Sequence, residues 1–493
     1  MAARRLSPAP AHRTSMRGIL LPLLIGLAGC LIGPDYRRPD SDIPPSFRFA
    51  VNDVHDVANT EWWRQFRDPE LDKLIATALA NNWTLHKAAA QIEQAAGALM
   101  SARAGFYPQV GYGASAQRDR LSERQGVPLP AGVRNPANLY QTFLSGSWEI
   151  DLWGRIRRQT EAAQANLVGA EEARRGVVLS LVSSVATSYL QLRSLDAQLE
   201  TQRRALAAYG DTLTLFTNQF KYGEVSMLNV EQARSQYEGA AATIPQLEQQ
   251  IAQAEDALSL LLGQNPARIA RGKTLADLSL PAVPAALPSE LLERRPDIAQ
   301  SEQNLIAANA EIGAARALYF PQISLTGAFG FASEQLSHLF TGPAQVWSFA
   351  GLVTGPIFTG GNITGQVIQA EAVHQQALFD YQQSIQTAFA DVADALIGFK
   401  KGMEQLAAEE RLVKALRENA RLAWLQYREG YESYLTVLIA QRDLYAAELG
   451  EAQIRANAYA SLVNIYKSLG GGWVAEAAKV APQAPATPVL AGP

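Results

Sequence analysis

The sequence predicts a mainly α-helical protein that also carries a membrane β-barrel component, four strands per chain. Three observations predict it. Long proline-free stretches, rich in Ala and Gln, carry apolar residues three and four positions apart. Two pairs of short segments alternate apolar and polar residues. The whole order of elements is written twice.

The helices carry the strongest signal. From Val185 the apolar positions run Tyr189, Leu192, Leu199, Leu206, Tyr209, Leu213, Phe216 and Phe220, with gaps of three, four or their sums, as in coiled coils. The proline-free span from Arg155 to Phe220, about 66 residues, is about 99 Å long at 1.5 Å per residue. A matching span runs from Asn362 to Glu429. Shorter helices are expected at about 84–105 and 226–262, and again at 297–316 and 433–468, stacking end to end beside the long ones. Each copy then supplies two helical columns and the chain four. Pro296 and Asp297 suit a helix start, where a missing N–H costs nothing and an acid meets the positive helix end. Gly223 and Gly430 fall where the chain must reverse at a coiled-coil tip.

The hairpins come next. After Pro108, Val110, Tyr112, Ala114 and Ala116 share one face, and Gln109, Gly111, Gly113, Ser115 and Gln117 the other. Within Tyr140–Leu152, Leu144, Trp148, Ile150 and Leu152 oppose Gln141, Ser145, Ser147, Glu149 and Asp151. After Pro321, Ile323, Leu325, Phe329 and Phe331 oppose Gln322, Ser324, Thr326 and Gly330. A fourth strand, about 346–357, alternates poorly. Such runs, with aromatics near their ends, suit strands that cross an outer membrane. Four strands cannot close a barrel in lipid, because open edges would leave backbone groups unpaired. Association of several copies is therefore expected.

The repeat is visible in its landmarks. Phe106-Tyr107-Pro108-Gln109-Val110 recurs as Tyr319-Phe320-Pro321-Gln322-Ile323, an offset of 321 − 108 = 213. Gln219-Phe220-Lys221-Tyr222-Gly223 recurs as Gln426-Tyr427-Arg428-Glu429-Gly430, an offset of 430 − 223 = 207. A longer loop in the first copy, within 119–138, accounts for the difference.

Composition and the N-terminus bound the function. Charged residues are 18% and the formal net charge is −4, which suggests neither disorder nor a nucleic-acid surface. One cysteine allows no internal disulfide and no Cys-based zinc site, and the five histidines are scattered. No phosphate-binding glycine loop, nucleophile elbow or metal-spaced cluster is present, so an enzyme is not expected and no cofactor is expected. Arg4, Arg5, Arg13 and Arg17 precede a short apolar run, Ile19 to Leu27, too short to span a bilayer. The run ends in Leu27-Ala28-Gly29-Cys30, which resembles a bacterial lipobox. The expectation is a covalent lipid on Cys30 and removal of residues 1–29, which takes the charge to −4 − 4 = −8. Either Met1 or Met16 serves as the start. Leu31 after the cysteine favours outer-membrane sorting.

Several further landmarks carry a family resemblance. They are Gly33-Pro34-Asp35-Tyr36, Trp62-Trp63 with Phe66 and Asp68-Pro69, Leu291 through Ile298, Pro356-Ile357-Phe358 with Gly360-Gly361, and Tyr466 through Trp473. The chain resembles the outer-membrane efflux protein family of TolC and OprM, in its lipoprotein (NodT-like) branch. The resemblance implies a homotrimer with a twelve-stranded barrel continued by a long periplasmic α-helical barrel. It implies localisation in the cell outer membrane, and as partners a periplasmic adaptor protein, an inner-membrane RND-type transporter and outer-membrane lipid, with no nucleic acid. The implied role is a passive exit duct for drugs and small toxic compounds. The alternatives are a channel for type I protein secretion and a coiled-coil lipoprotein scaffold without a pore.

The expected organisation is a lipoprotein signal peptide (1–29), an N-terminal anchor and equatorial segment (30–83) and a first repeat (84–262) with a hairpin over 109–153. A linker (263–296), a second repeat (297–469) with a hairpin over 322–358 and a tip near 430, and a partly disordered tail (470–493) follow. By resemblance, Tyr427, Leu435 and Arg442 match positions that line or latch a periplasmic constriction. The family often has an acid in a Leu-Asp-Ala-Gln stretch. Here the stretch reads Leu438-Ile439-Ala440-Gln441. Closure by apolar packing of Leu435 and Ile439 is therefore expected, with Glu432 as the acid nearest the tip.

Overall fold

The computed structural model describes residues 31–40, 43–49, 61–122, 124, 134–283 and 288–470. The signal segment, Cys30, most of the first hairpin loop and the tail beyond Gly470 lie outside the described residues.

In chain order the elements are α1 (Pro69–Asn81), α2 (Trp83–Ala104), β1 (Gln109–Asp119), β2 (Ala137–Ile150), α3 (Arg155–Lys221) and α4 (Met227–Leu261). Then come α5 (Pro288–Arg294), α6 (Pro296–Ala317), β3 (Gln322–Ser333), β4 (Gln345–Thr354), α7 (Asn362–Arg428) and α8 (Tyr434–Ser468). A short 3-10 turn, Trp62–Phe66, precedes α1. The two proline-free spans are single helices of 67 residues each, and each return helix has 35. The equal lengths follow from the repeat. Pro245 lies inside α4, and the helix continues through it.

The chain divides into two compact units, each drawing on both copies of the repeat. One holds the chain up to Arg38 with Gly97–Ala165 and Leu305–Gln376. Its centre is a four-stranded antiparallel sheet in the order β1-β2-β3-β4. Below the strands, Ala162 and Ala165 of α3 pack on Ala307 and Ala310 of α6, small residues that let two helix backbones approach closely.

The other unit holds Pro39–Ala96, Asn166–Asn304 and the chain from Ala377. A core of aromatic residues organises its loops. Trp62 stacks on Tyr466 at 5.0 Å between ring centroids, and the Tyr466 hydroxyl donates to the Ala282 carbonyl. Asp68 caps α1, accepting from the Glu70 N–H at 3.0 Å, with Pro69 at the first turn. The same buried carboxylate accepts from the Tyr189 hydroxyl (2.8 Å) and the Lys273 N–H (3.0 Å), so its charge is satisfied on three sides. A Cβ on Gly272 would lie 2.0 Å from the Asp68 Oδ1, which explains glycine there. Arg295, also buried, binds Asp297 (Nη2–Oδ2 2.6 Å) and Asp391 (2.9 Å) and donates to the Ser468 carbonyl at 3.2 Å. The landmark around Arg294–Asp297 thus joins the linker to α7 and α8.

Candidate functional site

The sheet is two-faced, and the register shows it in rows. Tyr112, Leu144, Phe329 and Trp347 stand side by side across all four strands. On the same face are Val110, Trp148, Ile150, Ile323, Leu325, Phe349 and Val353. Most of these residues are exposed: Tyr112 is 90% exposed, Phe349 82% and Trp347 69%, while Ile150 and Ile323 are half-buried. The opposite face carries the rows Gln109–Ser147–Thr326–Ala350 and Gly111–Ser145–Ala328–Ser348. An exposed apolar face of this size is unstable against water and suited to lipid, while the small, polar face suits a lumen. The sheet ends at β1 and β4, each hydrogen-bonded on one side only among the described residues. The fourth strand occupies Gln345–Thr354, earlier than the 346–357 expected, and its apolar face is Trp347, Phe349 and Val353, aligned with Phe329, Gly327 and Ile323.

Aromatic residues mark the helix-side margin of the sheet. Trp148 Nε1 donates to the Phe106 carbonyl at 3.0 Å, and Trp153 Nε1 to the Pro321 carbonyl at 2.7 Å. Tyr107 and Tyr319 are exposed beside them. The two repeated Pro-Gln landmarks are therefore the points where helix becomes strand.

The N-terminal segment is strapped to this margin. Arg158 on α3, only 2% exposed, donates from Nε to the Ile32 carbonyl (3.2 Å) and from Nη2 to the Gly33 carbonyl (3.3 Å). It also pairs with Asp35 and Glu161, each at 2.8 Å. Burial alone would push its pKa down, and these two carboxylates outweigh that, so it stays charged. The Asn309 amide donates to the Pro34 carbonyl at 2.9 Å, and the Ile32 N–H to the Trp153 carbonyl at 3.2 Å. Gly33 has φ +101° and lies so near Gly313 that a Cβ would be 2.4 Å from its Cα. No residue but glycine fits at Gly33.

The tip belongs to the other unit. Both reversals are built alike. The Glu224 N–H reaches the Gln219 carbonyl at 2.9 Å, and the Tyr431 N–H the Gln426 carbonyl at 2.9 Å. Gly223 (φ +74°) and Gly430 (φ +78°) take the left-handed conformation that this six-to-one closure needs. Phe216, Tyr434 and Tyr427 form an aromatic cluster, with ring centroids 4.2 Å apart for Phe216–Tyr434 and 5.2 Å for Tyr427–Tyr434. Burial pushes the Tyr434 hydroxyl up to about 12 and raises Tyr427 as well, so both are neutral at physiological pH.

The five gate candidates separate into groups. Leu435 (51% exposed) and Ile439 (43%) lie on one face of α8 with Arg442. Together with Leu228, Gln232 and Gln236 of α4 they line a groove. Arg442 turns to Asp443, with Nη2–Oδ1 at 2.9 Å. Tyr427 sits instead in the aromatic cluster. Glu432 is exposed in the reversal and accepts from the Thr436 hydroxyl at 3.1 Å. Above the tip, buried Glu448 on α8 accepts from Arg204 of α3 (3.1 Å) and Arg417 of α7 (2.7 Å), tying the two copies together. Neither this triad nor Arg158 carries a sequence signal that separates it from other charges on long helices.

Comparison with known proteins agrees with this geometry. A family model described as outer membrane efflux protein matches residues 74–264 and again 287–471. The starts differ by 287 − 74 = 213, the offset between Pro108 and Pro321. The probable efflux pump outer membrane protein SepC of Pseudomonas putida is 38% identical over 463 residues, covering 92% of this chain and 96% of its own. The cation efflux system protein CusC of Escherichia coli is 35% identical over 463 residues, covering 92% and 98%. Among solved structures, the open state of the MtrE outer membrane channel of Neisseria gonorrhoeae superposes with a TM-score of 0.79 at 31% identity, covering 90% and 99%. The CmeC channel of Campylobacter jejuni shares the fold, with a TM-score of 0.86 at 24% identity over 92% and 99%. A two-faced sheet, a duplicated coiled coil and relatives along nearly the whole chain lead to one assignment: the chain belongs to the outer membrane efflux protein family, as an outer-membrane channel component of an efflux pump.

Proposed function

We propose that three copies of the chain close one channel, with β4 of each copy pairing with β1 of the next. The observation that carries this reading is the sheet with a bare apolar face and two open edges, which lipid tolerates only when the edges are paired. Three copies give twelve strands, enough for a water-filled lumen walled by the polar face. The helices continue the duct into the periplasm, where an adaptor protein and an inner-membrane RND-type transporter deliver cargo. A lipid on Cys30 supplements the barrel as an anchor, and the Arg158 strap begins two residues after it. The channel is a passive exit duct for small toxic compounds. Relatives of similar identity are named for toluene efflux and for cation efflux, so cargo choice is assigned to the transporter. At the tip, Leu435 and Ile439 of the three copies close the duct by apolar packing.

The test is paired cysteines on β4 and β1. Oxidation of membrane fractions should give covalent trimers that lose their compact gel migration only on heating. A soluble monomer after removal of the lipid would overturn the channel reading.

A further inference from the structure

Among the described strands, one aromatic residue stands on the lumen-side face. Phe143 lies on the face of Ser145, Ser147 and Gln141, opposite its apolar neighbour Leu144. It is an aromatic side chain whose neighbouring row on the helix side is Gly111–Ser145–Ala328–Ser348 and whose own row ends in Val346, and it is 40% exposed. Its partner in the register on β1 is Gly113, and on β3 it is Gly330. A Cβ on Gly113 would meet Phe143 Cζ at 2.5 Å and both Cε atoms at 3.0 Å. The far edge of the ring therefore occupies the place of the missing side chain. Since those atoms are the ones most distant from the Phe143 backbone, the ring lies along the sheet and across β1, not upright from it. On the other flank, a Cβ on Gly330 would be 2.1 Å from the Thr142 carbonyl oxygen and 2.9 Å from Phe143 Cβ. Neither glycine has a positive φ, so space and not backbone conformation calls for them.

We propose that Gly113 and Phe143 are a bore-setting pair: residue 113 decides whether the aromatic ring lies against the inner wall or stands into the lumen. The inference rests on the closed-barrel reading above. In that barrel each copy contributes one such ring at one level, between the hairpin loops and the helix-side margin. With glycine at 113 the wall stays low and an apolar shelf lines it, over which flat apolar cargo slides. Any side chain at 113 fills the ring's seat. The ring then turns about its χ angles toward the only open side, which is the lumen. The effect is on the size of what passes, not on what is recognised.

The test uses a reporter thiol below the ring. Ser147→Cys lies two rows further toward the helices on the same face, and Cys30 is the one other cysteine. Intact cells are treated from outside with a small maleimide and with maleimides on increasingly long polyethylene glycol chains. Gly113→Ala should leave labelling by the small reagent unchanged and slow the long ones severalfold. Adding Phe143→Ala to Gly113→Ala should bring the long reagents back to at least the rate of the reporter alone. Equal rates for the long reagents with and without Gly113→Ala overturn the proposal, as does a double variant as slow as Gly113→Ala. If Gly113→Ala yields no heat-sensitive trimer, Phe143→Ala alone decides. It should speed the longest reagents, and an unchanged rate overturns the pair. Failure of the small reagent to label the reporter in the parent background would instead overturn the barrel reading, because that background carries neither substitution.

Discussion

Replacing Arg158 by methionine should release the N-terminal strap while leaving the helix intact. Methionine keeps most of the aliphatic stem and a good helix propensity, so the loss is confined to the guanidinium. Of its four partners, Asp35 is 82% exposed, and that ion pair contributes under about 1 kcal/mol. Glu161 is one turn away on the same helix and holds nothing distant. The strap depends on the carbonyls of Ile32 and Gly33, each receiving a bond from a charged donor. Such bonds contribute about 1.5–3 kcal/mol apiece, and the lower figure applies because the segment is half-exposed, which gives about 3 kcal/mol in all. That raises the population of the detached strap roughly a hundredfold, at 1.4 kcal/mol per factor of ten. Trypsin reads it directly, since Arg37 follows the strapped residues, Arg38 is shielded from cleavage by Pro39, and cleavage follows the open population when reclosing is fast. Arg155→Met is the control, because Arg155 pairs with Glu149 on β2 and with Gln159 one turn along its own helix. A rise of less than about threefold at Arg37, by the same relation, would show that Arg158 does not hold the strap.

Three further outcomes follow from the other unit. Ile439→Ala should raise the leak of the closed channel across planar bilayers, and an unchanged leak would refute an apolar gate. Phe216→Ala empties the centre of the tip's aromatic cluster and should destabilise it by about 3–5 kcal/mol, read as a lower melting temperature of the helical signal. Burial would push the Asp297 carboxyl up, but the hydrogen bonds and charge of Arg295, with the Ile298 N–H, outweigh it and hold it below the usual range. A depressed carboxyl stabilises the fold above its unfolded value, near pH 4, and that contribution fades as pH falls through the folded value. Acid should therefore lower the wild-type melting temperature more steeply than that of Asp297→Asn, and equal slopes would contradict the assignment.

Much of the fold was legible because two repeating constraints operate over long stretches. Apolar spacing of three and four over dozens of residues leaves no alternative to a helix, so α3 and α7 end within a residue of their expected bounds. Alternation identified β1 to β3 for the same reason. In β4 it failed because Val346 and Leu352 place apolar residues on the lumen side as well, and only the pairing of Phe329 with Trp347 shows which face is which. At the tip, family resemblance named Leu435 and Arg442, the departure from the family's acidic stretch named Ile439, and all three line one groove. The position of Tyr427 in the aromatic cluster depends on its contact with Phe216 of α3, far away in sequence, as well as with nearby Tyr434 of α8. Arg158 was hidden by its company. Arg155, Arg157 and Arg158 look alike in sequence, and only the packing of Gly33 on Gly313 decides which one is buried.

The two open edges of the sheet have a genetic consequence. In the proposed ring the β4 edge of each copy pairs with the β1 edge of the next, so there are as many seams as chains. A chain with a damaged β4 still presents a sound β1 and enters rings that it cannot complete. In a cell making sound and damaged chains equally, and with the three seams of the proposed ring, only about one ring in eight contains sound chains alone. Edge substitutions should thus behave as dominant lesions. Null alleles of the same gene, which make no chain to enter a ring, should be recessive.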